Sequence, residues 1–439
     1  MPSLTQQLVR LIRARPITDD DRDCAVRFLL DTVANALGAR NTAPGRMLRG
    51  WFAQQGGDAG RQAFLIGGLS HILEMDDLHR ASVTHPGCVV VPAALALALR
   101  KRCSGPALLD AIIRGYEAVA RIGMAAGPAH YRIWHSTATC GPFGAGMAAA
   151  ELLGLDDGQA VHALGNAGTQ ASGLWQFIET GAMSKHLHAG RAAEAGVTAA
   201  ELAALGFTGP PAILEGAKGL FAGACPDADP DAVTRDPSAP WQLRATSIKP
   251  WPCCRHTHPA IDAAIELHGR LGGVEPRTIE VSTYGAALEV CNRPAPANEY
   301  AAKFSLQHCV ALALTDGRVG FLSFDEAARG RLAPLSGRVA LRAAEPFICA
   351  YPGHWGAEIA LKLPDGRELT ASRKACKGDP DQPLGDTEMN AKAELLLAHG
   401  GIEGPKARRI VGGLLGLAGD GTGSALASVL EEGIWPSLR

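Results

Sequence analysis

The sequence predicts a mainly α fold: a large all-α helical domain built from N- and C-terminal parts, with an inserted, smaller α/β lid domain. Three observations carry this expectation. Residues 4–14, 21–38, 89–101, 106–124, 142–153, 158–174 and 187–205 place apolar side chains three and four apart, the period of a helix with one buried face. Val89 to Leu99 and Ala145 to Leu153 are apolar nearly all round, as helices in the middle of a large helical domain must be. The texture then changes after Gly209-Pro210-Pro211 and the Asp- and Pro-rich stretch 225–240, which reads as a surface loop. Beyond it, a helix after His258 and another through 303–314 mix with strands at 279–284 and 338–343. Residues 358–373 alternate around Asp365-Gly366, a strong two-residue hairpin signal. Helical periodicity returns at 388–398, 404–417 and 423–432. The division drawn from these changes is 1–248 with 386–439 for the large domain and 249–385 for the insert.

The bulk numbers agree with a globular chain. Its 439 residues suggest two or three domains at roughly 150 residues each. It is 47% hydrophobic and 5% aromatic, with 52 glycines, so small side chains must let helices approach closely. Lys plus Arg is 42 and Asp plus Glu 44, giving 42 − 44 = −2, so no global field favours nucleic acid or an anionic membrane. No apolar run approaches the roughly 20 residues that span a bilayer. The N-terminal stretch to Pro16 reads as a short amphipathic helix rather than a signal peptide. Eleven cysteines without a C-x-x-C pair suggest reduced thiols in the cytoplasm and argue against an iron–sulfur site.

Four short segments concentrate titratable residues beside apolar helices. The first runs His71-Ile-Leu-Glu74-Met-Asp76-Asp77-Leu-His79 and on to Thr84-His85-Pro86-Gly87. Its carboxylates and imidazoles suit either a hard-metal or zinc site or a solvated turn, and no regular ligand spacing decides between them. The second, His135-Ser136-Thr137-Ala138-Thr139, stands ahead of an apolar helix, where hydroxyls serve as caps and an anion can meet exposed N–H groups. The third contains Lys185, His188 and Arg191, three apart, a cationic stripe on a helix whose later turns are small and apolar. Such a stripe is either a solvated face or a place for a substrate carboxylate. The fourth is Lys249-Pro-Trp-Pro-Cys253-Cys254-Arg255-His256-Thr-His258, at the expected domain boundary, where ligand clefts are common. A zinc site of Cys253, Cys254, His256 and His258 has poor tetrahedral reach. Nucleophile-elbow, P-loop and dinucleotide-binding signatures do not occur. What remains suits general acid–base chemistry on an anion.

In these segments the chain resembles the MmgE/PrpD family, which includes 2-methylcitrate dehydratase, cis-aconitate decarboxylase and iminodisuccinate epimerase. The matching stretches are HILEMDD and THPG within 71–87, HSTATCGPFGA at 135–145, GAMSKHLHAGRAAEAG at 181–196, KPWPCCRHTHPAIDA at 249–263 and AAKFSLQHCVALAL at 301–314. The resemblance implies a homodimer and an active site between the two domains. It implies catalytic roles for His85, His135, Lys185 and His258, with Asp76 beside them. Glu74, Asp77, His79, Thr137, His188, Arg191, Arg255, His256 and His308 would then bind substrate. Two positions depart from the pattern. Relatives read D-F-D-D-T-H where this chain reads Glu74-Met-Asp76-Asp77-Leu78-His79, and often carry Tyr where His308 stands.

The activity so implied is a hydro-lyase without metal or cofactor, forming a carbanion next to a carboxylate of a small polycarboxylate. One of His135 and His258 would remove the α-proton, and the other, or Asp76 or His85, would protonate the leaving hydroxyl. Lys185 and Arg255 would hold carboxylates and stabilise the enolate-like state. An epimerase, a decarboxylase of the cis-aconitate type and a non-catalytic carboxylate-binding paralogue remain as alternatives.

Overall fold

Small side chains decide how the helices of this chain meet. The computed structural model describes residues 2–55 and 57–419, with isolated positions beyond. The expected helix at 423–432 lies outside the described residues. The architecture is mainly α with a smaller α/β part, divided into two compact units: Met1–Thr246 with Gly385–Arg439, and Ser247–Leu384.

In the first unit the principal helices are α1 (Asp19–Ala39), α2 (Ala59–Ser70), α3 (Gly87–Lys101), α4 (Gly105–Ala126), α5 (Ser136–Leu153) and α6 (Ser184–Ala204). Helix α5 is buried along almost its whole length and packs against α3, α4 and α6, as its all-round apolar sequence demands. It begins at Ser136, well before the periodic stretch at 142–153, because Pro142 sits inside it and the turn ahead of the proline is helical. A proline removes a donor yet does not always end a helix. The segment expected to be helical to 174 ends at Gly168, and Gly173 takes φ 121° in the irregular stretch that follows. Among the longer helices of this unit, Ala43–Phe52 and α2 escaped the periodicity.

Helix α2 shows why. Its sequence AGRQAFLIGGLS is almost entirely buried, so no polar face marks a period. A Cβ built on Gly67 would stand 2.8 Å from the carbonyl oxygen of Cys88 and 3.1 Å from that of Ala189. Pro92, four residues beyond Cys88, has no N–H to give that carbonyl, so α3 presents an unsealed turn to the Gly67 backbone. Gly67 therefore lets α2 lie against both α3 and α6.

The second unit holds α7 (His258–Leu271), β1 (Thr278–Thr283), α8 (Leu306–Asp316), β2 (Val339–Ala343), β3 (Ala357–Lys362) and β4 (Glu368–Arg373). The sheet order is β2-β1-β3-β4. Strand β1 runs parallel to β2, with Ile279 opposite Val339, and antiparallel to β3, with Val281 opposite Ile359. Strands β3 and β4 form the expected hairpin, and Gly366 takes φ 87° in its turn. Helix α7 covers β3 and β4 and also packs on α8. In the C-terminal part of the first unit, α9 (Asp386–His399) packs on α1. No helix among the described residues is long and apolar enough to cross a membrane.

Gly67→Ala should lower stability by about 1–3 kcal/mol, because the added methyl must push two backbones apart. A urea midpoint unchanged by the substitution would contradict this packing.

Candidate active site

The loop between α2 and α3 carries the first polar segment, and burial governs it. Asp76 is wholly buried, as is His71, and His71 Nδ1 meets Asp76 Oδ2 at 2.6 Å. His85 Nδ1 approaches the same oxygen at 3.2 Å and the carbonyl of Asp77 at 2.5 Å. With a proton on each Nδ1, His71 donates to the Asp76 carboxylate and His85 to the Asp77 carbonyl while lying beside the same carboxylate, and His71 Nε2 is left as a basic nitrogen. The His71 ring lies edge-on to His85, with centroids 4.8 Å apart, and stacks on His135 at 5.6 Å.

His135 caps the start of α5 and is 1% exposed. Its Nδ1 faces Nδ1 of His188 at 3.4 Å, and its ring lies against Trp175, centroid to centroid 4.9 Å. Among the described residues, Nε2 of His71 and of His135 makes no hydrogen bond, although both atoms are buried. Buried polar atoms usually find a partner, so these two are fitted to receive one from a ligand or a transferred proton. Burial pushes His71 down to about 3 from the ordinary 6.5, outweighing the pull of Asp76. Burial, then the nearby charges of His71 and Lys185, holds His135 well below its usual value. His188 is lowered by burial and by Lys185. These imidazoles are neutral at physiological pH and able to accept protons.

Lys185, in the first turn of α6, donates to Glu74 Oε1 at 2.5 Å, both side chains almost fully buried. Glu74 adopts φ 59°, a left-handed conformation that a glutamate enters at a cost and that surrounding contacts must hold. Asp77 turns away from the imidazoles. It accepts from Gly87 N at 3.0 Å at the head of α3, and from Tyr116 OH at 2.8 Å. Burial, then the charge of Asp76, raises its pKa well above the usual carboxylate range. Thr137 Oγ1 accepts from His85 N at 3.0 Å and ties α5 to the loop.

The other candidate residues are engaged with partners of their own. His79 is held by Ser82 and Gln242, at 2.8 and 3.0 Å, and burial lowers it to about 4. Arg191 pairs with Glu194 and its side chain is 55% exposed. Three-residue steps on a helix drift by about 60° each, which carries Arg191 off the face that buries Lys185. In the second unit, Arg255 is 2% exposed and committed to Asp379 and to Cys376, whose Sγ lies 2.6 Å from Nη1. His256 bonds Tyr284 OH at 2.8 Å and stacks on Trp355 at 4.3 Å. His258 is the first residue of α7, its Nε2 3.3 Å from Cys253 O and its ring 5.1 Å from that of Trp251. His308 donates to Ser323 O at 2.9 Å and lies beside Phe324.

The structure thus brings Asp76, His85, His135, Lys185, Glu74, Thr137 and His188 to one place. It adds His71 and the Trp175 face, which the sequence reading did not assign. His71 opens the very stretch quoted for the first segment, so its position was visible although its role was not. Among the described residues, one grouping has metal-ligand character: His71, Asp76 and Cys88 each offer an atom within 4.8 Å of the others. A metal there would displace the His71–Asp76 hydrogen bond and the Cys88 thiol's 3.2 Å bond to His85 O.

The first unit thus holds a buried histidine–carboxylate cluster beside a lysine–glutamate pair, groups whose chemistry allows them to give and take protons. The chain belongs to the MmgE/PrpD family: its N-terminal domain model matches residues 6–233 and its C-terminal domain model residues 251–412. Relatives include cis-aconitate decarboxylase of Homo sapiens, 28% identical over 347 residues, covering 75% of this chain and 71% of the relative. The cis-aconitate decarboxylase-like protein oryM of Aspergillus oryzae is 26% identical over 402 residues, 84% and 82% of the two chains. Cis-aconitate decarboxylase of Aspergillus terreus is 26% identical over 357 residues, 74% and 70%.

The lowered imidazoles fix the sign of a pH effect. The unfolded chain binds protons on these histidines below 6.5 while folded His71 stays neutral down to about 3. Folding stability should therefore fall as pH drops through that window, by up to about 1.4 kcal/mol per pH unit for each such group. His71→Asn should flatten the decline in urea-denaturation stability between pH 6 and about 4. An equal slope in both proteins would contradict a neutral, buried His71.

Proposed function

We propose that the chain is a metal-independent lyase of small polycarboxylates that works by imidazole proton transfer next to a carboxylate. The observation that carries this is the trio His71, His85 and His135 around Asp76, with two buried Nε2 atoms open to a proton and Lys185 alongside. A cation at that place favours a substrate carboxylate and the negative charge that spreads onto it during reaction. Glu74 would have to share or release the Lys185 ammonium when substrate enters. His85, at the partly exposed side of the cluster, completes the set of imidazoles around Asp76 from which the proton donor and acceptor are drawn.

The names of the relatives favour decarboxylation of a cis-aconitate-type tricarboxylate. In that reaction an acid group of the site gives a proton to the alkene carbon that bears hydrogen, and the π pair of the old double bond forms the new C–H bond. The electron pair of the breaking carbon–carboxylate bond forms the new double bond, and CO₂ leaves. Likeness to 2-methylcitrate dehydratase in the polar segments favours dehydration as the second reading. There a neutral imidazole takes the α-proton and the leaving hydroxyl receives one. Both reactions ask the same of the protein: a base and an acid in a dry pocket, and a cation for the carboxylate. The same reading takes the protein to be a cytoplasmic homodimer.

Offered cis-aconitate, citrate, 2-methylcitrate and iminodisuccinate in the presence of a chelator, the protein should turn over at least one tricarboxylate. Release of CO₂ assigns decarboxylation, new alkene absorbance without CO₂ assigns dehydration, and solvent deuterium uptake alone assigns epimerisation. Neither turnover nor exchange with any of them would sink the proposal, and activity abolished by the chelator would overturn its metal independence. His135→Gln should lower kcat by about 100-fold or more; a near-normal kcat removes His135 from the chemistry.

A further inference from the structure

Lysine is almost never fully buried unless it is paired. Lys392, on α9, is 6% exposed, and it lies near the loop between α2 and α3 although more than three hundred residues separate them in sequence. Its Nζ forms an ion pair with Asp31 of α1, which is 2% exposed, and donates to the carbonyl oxygen of Met75 at 2.7 Å. Met75 is the residue between Glu74 and Asp76. Its carbonyl belongs to the peptide unit that leads into Asp76, directly after the left-handed Glu74.

We propose that Lys392 is a positioning residue: by holding the Met75 carbonyl from behind the loop, it sets where Glu74 and Asp76 present their carboxylates to Lys185, His71 and His85. The role rests on the acid–base reading given above for that loop. Three observations support it independently of one another. Glu74 sits at φ 59°, a conformation that must be held by its surroundings, and the Lys392 bond falls on the adjoining residue. Asp77 on the same loop is anchored at its own end by Gly87 N and Tyr116 OH, so the loop is gripped on both sides of Asp76. Lastly, Asp31, Asp76 and Asp77 are close enough for Asp77 to feel both neighbours, and an ammonium in that group makes burial of several acids tolerable. The groups that meet the Lys392 ammonium are the Asp31 carboxylate from α1 and the Met75 carbonyl from the loop; Asp77 and Tyr116 of α4 bond each other nearby and both feel the charge of Asp31.

Two variants test the role. Lys392→Met removes both the charge and the donor. It should cut kcat by about tenfold with KM changed less than threefold, and move the acid limb of the kcat/KM profile upward by about half a pH unit or more, since carboxylates without a neighbouring cation ionise less readily. Asp31→Asn combined with Lys392→Met removes the stranded acid as well, and should recover thermal stability while kcat stays low, because the Met75 carbonyl is still not held. Recovery of both stability and kcat in the double variant would show that Lys392 only balances Asp31, and would overturn the proposal. So would Lys392→Met with a lower Tm but wild-type kcat and pH profile. The ¹³C carboxyl resonances of labelled aspartate give a readout without substrate: the loop acids should titrate at higher pH in Lys392→Met. Absence of turnover in the wild type together with that shift would refute the lyase reading and leave the positioning role intact; an unshifted titration would overturn the positioning role whatever the activity.

Discussion

Asp76 has no exposed surface, and a carboxylate removed from water must find compensation among the groups around it. It finds two imidazole Nδ1 atoms, from His71 and His85, which converge on the same oxygen. That arrangement constrains everything near it. The donor nitrogen of His71 is assigned, its opposite nitrogen is left as a base, and His135 stacks where a third imidazole can join the exchange of protons. Burial keeps His71 and His135 neutral, since added positive charge in so small a volume would be unfavourable.

The polypeptide around this carboxylate is organised to hold it. Gly67 lets α2 approach α3 and α6, so the loop leaving α2, the head of α3 and the first turn of α6 come together. Asp77 ties the loop to α3 and α4, Thr137 ties α5 to His85, and Lys392 grips Met75 from α9. Glu74 accepts an unfavourable backbone conformation, and its carboxylate meets Lys185. Strain and buried charge gathered in one loop, on a rigid helical frame, are what a site needs if its proton-transfer groups are to keep their geometry without solvent.

Much of this was legible in the sequence, for identifiable reasons. Helices such as α3, α4 and α6 announced themselves through apolar spacing, and the Asp365-Gly366 turn marked its hairpin. Helix α2 did not, because a segment buried on every side carries no period. The start of α5 was hidden by Pro142, which reads as a helix breaker. Four of the polar segments were recognisable from their titratable residues, yet spacing alone could not separate His85, which reaches Asp76, from His79, which is consumed by Ser82 and Gln242. Arg191 fell on the expected stripe only if a three-residue step is taken as a straight line along the helix. Lys392 and Tyr116 were out of reach, since nothing local to α9 or α4 tells that a distant loop needs a donor there.

The central claim is that Asp76 holds buried, neutral imidazoles in defined tautomers. Selective ¹⁵N labelling of histidine, followed by NMR from pH 8 to pH 5 in the substrate-free protein, tests it most directly. The account predicts that His71 carries its proton on Nδ1 with Nε2 bare, that His135 is neutral, and that both signatures persist to pH 5. Doubly protonated rings appearing for either residue with a midpoint near the ordinary 6.5 would contradict it.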